Sequence, residues 1–83
     1  MNYFIDIDGT IMLAEQRGDD TWILFDALSQ AHGRLYVEPA EYDSTSAYVM
    51  AETRDGETVA CIAYLDLRGG IEHAARELVR AAD

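Results

Sequence analysis

The sequence predicts an α+β domain, a two-layer sandwich of one mostly antiparallel sheet and two helices in the order ββαβββα. Three observations carry that expectation. Several segments alternate apolar and polar residues with the two-residue period of a strand. Short turn signals, Asp8-Gly9 and residues 54–57, join neighbouring strands as hairpins. Only two segments place apolar residues at helical spacing, too few helices to cover both faces of a parallel sheet. At 83 residues there is room for one core, so residues 1–83 are expected to form a single domain.

Residues 3–7 read as a strand with Tyr3, Ile5 and Ile7 on one face and Phe4 and Asp6 on the other. Residues 10–14 return across Asp8-Gly9. The polar loop 15–20 offers Asp19 or Asp20 to the free amides that open a helix, where a carboxylate also complements the dipole. Trp22, Phe25, Leu28 and Ala31 then recur every three residues, which predicts a helix over 21–32 stopped by Gly33. Residues 34–38 alternate as a third strand, ended by Pro39 because its ring removes a ladder donor. After the acidic loop Glu41, Tyr42, Asp43, strands over 46–53 and 58–67 flank the 54–57 turn, with Val59, Cys61, Ala63 and Leu65 on one face. Gly69-Gly70 breaks that pattern. The stripe Ile71, Ala74, Ala75, Leu78, Val79 and Ala82 predicts a terminal helix with one apolar face.

Charge is the unusual quantity. Sixteen Asp and Glu stand against six basic residues, all Arg, for a formal net charge of −10, and lysine is absent. A compact chain of this length has a radius of gyration near 12 Å and a diameter of roughly 30 Å. Duplex DNA carries about 18 phosphate charges over that distance, so the surplus is about half a duplex's worth. Direct binding to nucleic acid or to an anionic membrane is disfavoured, whereas basic surfaces are attracted over a Debye length of about 8 Å. Cys61 is the single cysteine, so no intrachain disulfide forms and a reducing compartment is expected. With neither a signal-peptide pattern nor about 20 consecutive apolar residues, the expected location is the cytosol.

Residues 4–11, FIDIDGTI, resemble the first motif of the haloacid dehalogenase superfamily, an apolar strand ending in D-x-D-G-T. That resemblance implies Asp6 as the nucleophile on phosphorus, Asp8 as general acid and base, Mg²⁺ beside both, and a larger Rossmann-like parallel sheet. The reading preferred here takes Asp6 as the outward residue of an alternating strand and Asp8-Gly9 as a turn. No catalytic residue, metal site or cofactor is therefore expected. His32, His73 and the lone Cys61 make too thin a ligand set for zinc. His73 with Glu77, Glu72 with Arg76, and Arg80 near the helix end are expected to support the last helix. Gly69-Gly70 is read as a helix-entry turn in preference to an anion cradle.

Tyrosines and carboxylates together suit an Arg-rich partner, because a ring stacks on guanidinium while carboxylates engage its fork. Tyr36, Tyr42, Tyr48 and Tyr64 lie near such acids. The expected partner-binding residues are Glu38, Glu41, Tyr42, Asp43, Asp55 and Glu57. In size and charge the chain resembles the small acidic anti-CRISPR and anti-restriction proteins of phages. The resemblance implies a non-enzymatic inhibitor in the host cytosol that occludes the basic nucleic-acid-binding surface of a larger protein or complex. Alternatives are a salt-adapted housekeeping protein, an antitoxin-like subunit and, last, a Mg²⁺-dependent phosphoryl-transfer enzyme using Asp6 and Asp8.

Overall fold

The computed structural model describes residues 1–39 and 47–81. Six strands follow one another, β1 (Tyr3–Ile7), β2 (Thr10–Gly18), β3 (Thr21–Phe25), β4 (Ala31–Pro39), β5 (Ala47–Thr53) and β6 (Thr58–Ala63). A helix, α1 (Leu67–Ala81), closes the described chain. Spatial order equals chain order and each neighbouring pair is antiparallel, so the sheet is a simple meander. It curls into half a barrel around α1, which packs chiefly on β5 and β6 and reaches β4 and β1. The radius of gyration is 12.0 Å.

The order ββαβββα with two helices is therefore corrected to six strands and one helix. The segment expected as the first helix is a hairpin, β3 and β4, and the reason is local. Thr21, Trp22, Ile23, Leu24 and Phe25 are β-branched, aromatic or aliphatic, and Trp22 and Leu24 point inward while Thr21, Ile23 and Phe25 point outward. Asp26 then competes with a helical backbone for its own amides. Its Oδ1 accepts the N–H groups of Leu28 and Gln30, each at 2.9 Å, and the backbone bonds Asp26 N–H to Gln30 O and Ser29 N–H to Asp26 O close the loop. Ser29 takes a φ of 61°, outside any helix. Leu28, assigned to the apolar stripe, is 80% exposed. The i, i+3 spacing was an accident of three strand residues, Trp22, Phe25 and Ala31, and one loop residue, Leu28. Asp19 and Asp20, expected to open that helix, form the β2–β3 turn instead.

The strand boundaries shift elsewhere too. Asp8 (φ 52°) and Gly9 (φ 88°) make the two-residue turn between β1 and β2, and Gly9 N–H donates to Asp6 Oδ1 at 2.8 Å. The return strand runs on to Gly18 rather than Ala14. The last strand ends at Ala63, short of the expected Leu67, and Cys61 and Ala63 lie on the outer face, whereas Ala60 and Ile62 pair with inward Ala51 and Val49. Gly69 and Gly70 belong to α1, whose N-terminus Asp66 caps by accepting the Gly69 N–H at 3.1 Å.

The core lies between the inner sheet face and α1. Tyr3, Ile5, Ile7, Met12, Ala14, Trp22, Leu24, Leu35, Val49 and Ala51 meet Ile71, Ala74, Ala75 and Leu78. Those four helical residues follow the apolar stripe read from the sequence; Ala82 lies outside the described residues. Burying each of the larger aliphatic side chains contributes about 1.5–3 kcal/mol. Two glycines set how near the helix comes. At Gly70 a Cβ would lie 2.8 Å from Tyr64 Cβ and 3.0 Å from Val49, and at Gly33 it would lie 3.0 Å from both methyls of Leu78. Among the described residues no polar or charged side chain is buried, so their polar chemistry is on the surface.

Candidate partner-binding surface

Charge is divided between the two layers. The described residues 1–39 and 47–66, the sheet and its turns, hold 11 of the 16 acids and three of the six arginines. The helix holds two acids and the other three arginines, a net charge of +1, all of them in ion pairs: Arg68 and Arg76 flank Glu72 at 3.1 and 4.0 Å, and Arg80 meets Glu77 at 2.9 Å. His73 lies 3.8 Å from Glu77. On the sheet, Arg17 pairs with Glu15 and Arg34 with Glu52, both at 3.2 Å. Among the described residues Asp6, Asp8, Asp19, Asp20, Glu38, Asp55, Glu57 and Asp66 have no ion pair, and all are exposed. The negative field therefore issues from the sheet side.

The expected binding residues fall at two ends of that sheet. Glu38 is exposed near the end of β4, directly opposite Tyr48 of β5. Asp55 and Glu57 sit in the β5–β6 turn, where Glu57 N–H donates to Thr53 Oγ1 at 3.1 Å. From Tyr48 to Thr53 is five residues of extended chain, about 17 Å. Glu41, Tyr42 and Asp43 lie outside the described residues. Tyr36 and Tyr48 both face outward, and Tyr36 already carries the Arg34 guanidinium 4.5 Å from its ring centroid. Tyr64 turns the other way, its Cβ against Gly70 and its ring packed on the core. It does not belong with the outward tyrosines.

Sequence reasoning missed an apolar row on the convex face. Phe4, Leu13 and Phe25 stand side by side across β1, β2 and β3, with Ile11 and Ile23 flanking them. Phe4 is 68% and Ile11 53% exposed. Arg17 stacks over Phe25 at 5.5 Å. The signal was present: in Tyr3-Phe4-Ile5, Ile11-Met12-Leu13 and Trp22-Ile23-Leu24-Phe25 both strand parities are apolar, where a one-sided sheet shows alternation.

Neither family, curated protein nor solved structure matches this chain.

The other polar clusters have local partners. Asp6 points outward and serves the hairpin turn, in an all-antiparallel sheet unlike the parallel one that the dehalogenase resemblance implies. Among the described residues no three His, Cys, Asp or Glu side chains are placed to hold a metal ion. No helix of the described chain is long and apolar enough to cross a membrane. His32 meets Asp26 at 2.9 Å beside a shallow cleft lined by Asp8, Thr10, Met12 and Val79. The Gln30 N–H, then the His32 imidazole and the Leu28 N–H, hold the Asp26 carboxyl below the ordinary aspartate value of 3.8. A depressed carboxyl stabilises the fold above its unfolded pKa, and that contribution is lost as pH falls through the lower, folded value. Acid titration below about pH 4 is therefore expected to lower the melting temperature of the parent more steeply than that of Asp26→Ala. Parallel curves would remove Asp26 from the account.

Proposed function

We propose that this chain is a non-enzymatic binding protein whose acidic sheet side occupies the basic, nucleic-acid-binding surface of a larger protein or complex. The observation that carries this reading is the division of charge: the surplus carboxylates belong to the sheet and its turns, and the charges of the helix are held in its own ion pairs. Carboxylates so displayed stand in for phosphates, and outward Tyr36 and Tyr48 add stacking area for guanidinium groups. Long-range attraction of this kind speeds encounter and weakens with salt. A phage inhibitor of restriction or CRISPR complexes, acting in the host cytosol, is the setting that size and charge favour.

The test is capture from a bacterial lysate with the tagged chain as bait. Nucleic-acid-binding proteins are expected to be retained in dilute buffer and released by salt. Reversing Glu38, Asp55 and Glu57 to Lys is expected to weaken capture about a hundredfold or more, since each of the three reversals replaces an attraction with a repulsion worth about 1 kcal/mol at contact in water. Retention that ignores both salt and the reversal would refute the reading.

A further inference from the structure

We infer that the apolar row of the convex face, not the acidic sheet ends alone, seats the partner, and that the partner presents a basic segment in which arginines are interleaved with apolar side chains. The inference rests on the binding-protein reading above and names its surface. Sheets with one face on a core normally keep the other face polar. Here the outward positions of β1, β2 and β3 include Phe4, Ile11, Leu13, Ile23 and Phe25, a contiguous apolar strip of the kind that marks an interaction site.

Charge decides between occupants. A second copy would bring an equally acidic sheet against this one, because the described residues 1–39 and 47–66 carry 11 acids against three arginines. A basic partner gains where a second copy loses. The face also shows the contact chemistry it would use. Its own Arg17 stacks on Phe25 and its own Arg34 on Tyr36, while the guanidinium of Arg34 also reaches Glu52 at 3.2 Å. Ring below and carboxylate beside is the arrangement an incoming arginine needs. Tyr48 beside Glu38 repeats it with no arginine above the ring among the described residues. The apolar row, carried by β1 to β3 of the same convex face, would take the hydrophobic side chains between those arginines.

Two synthetic peptides of equal charge test this, one alternating Arg with Leu and one alternating Arg with Ser, with binding read by fluorescence anisotropy. The parent is expected to prefer the Arg–Leu peptide by about tenfold. Phe4→Ser with Ile11→Ser should abolish that preference and leave the Arg–Ser peptide unaffected. Both residues are exposed, so the fold should survive; circular dichroism checks this, and Phe4→Ser alone repeats the comparison if the pair disturbs folding. An unchanged preference in a folded variant, while Glu38, Asp55 and Glu57 reversal weakens both peptides, overturns this surface and spares the binding-protein reading. Failure of the parent to bind either peptide in dilute buffer overturns both. Sedimentation showing a dimer that the Ser substitutions dissolve would give the face to a second copy and also overturn the inference.

Discussion

Gly33→Ala is expected to destabilise the protein by about 3 kcal/mol or more, a large fraction of the total stability of a domain this size. Gly33 has a φ of 153°, a conformation open almost only to glycine. An added Cβ would also collide with the Glu52 carbonyl oxygen of β5 and press on both Leu78 methyls at 3.0 Å. The first obstacle is backbone held in the β4–β5 ladder, and the second belongs to the helix seated in the sheet. Neither yields without separating the layers. Gly9→Ala is the internal control, since φ is 88° there but nothing lies within 4 Å of the new Cβ, so only about 1 kcal/mol of backbone strain is expected. Urea denaturation of both variants decides the matter. Equal losses would show that close approach at Gly33 is not what matters.

Trp22→Ala is expected to cost about 3–5 kcal/mol, the range for truncating a large aromatic in a core. Trp22 is 2% exposed and its ring lies 6.1 Å from that of Tyr3. Its Nε1–H donates to the Met1 carbonyl at 2.9 Å, which ties the start of the chain to the core. In a domain this small no second core compensates. Trp22→Phe should recover most of the loss, because the Met1 carbonyl it abandons is near the surface and can turn to water. A denaturation midpoint for Trp22→Ala close to that of the parent would mean that the inner face is not packed as described.

Local chemistry made some of the fold readable in advance. Asp8-Gly9 between two alternating segments marked the first hairpin, 54–57 marked the last, and Ile71, Ala74, Ala75 and Leu78 marked the buried face of the helix. The β3–β4 hairpin was hidden because its turn carries no Asn-Gly or Asp-Gly pair. It depends on the Asp26 carboxylate gathering the Leu28 and Gln30 amides, a pattern that a period count does not register. Gly33 misled for the same reason: glycine that stops a helix and glycine that lets a helix lie against a strand look alike in one dimension.

The surface was legible residue by residue but not as an arrangement. Glu38, Asp55 and Glu57 are exposed, as their types lead one to expect. That Glu38 lies directly opposite Tyr48 follows only from the register of β4 against β5, which no residue pattern announces. The division of charge between sheet and helix needed no coordinates to count, yet it acquires meaning only once the six strands prove to be one layer and α1 the other.

The most direct test of the central claim is displacement. A fluorescent DNA duplex is bound to the nucleic-acid-binding complex captured by this chain, and the chain is then titrated in. Release of the duplex at near-stoichiometric protein, and retention of the duplex when the sheet-side acids are reversed, is the predicted result. A complex holding duplex and chain together would contradict it.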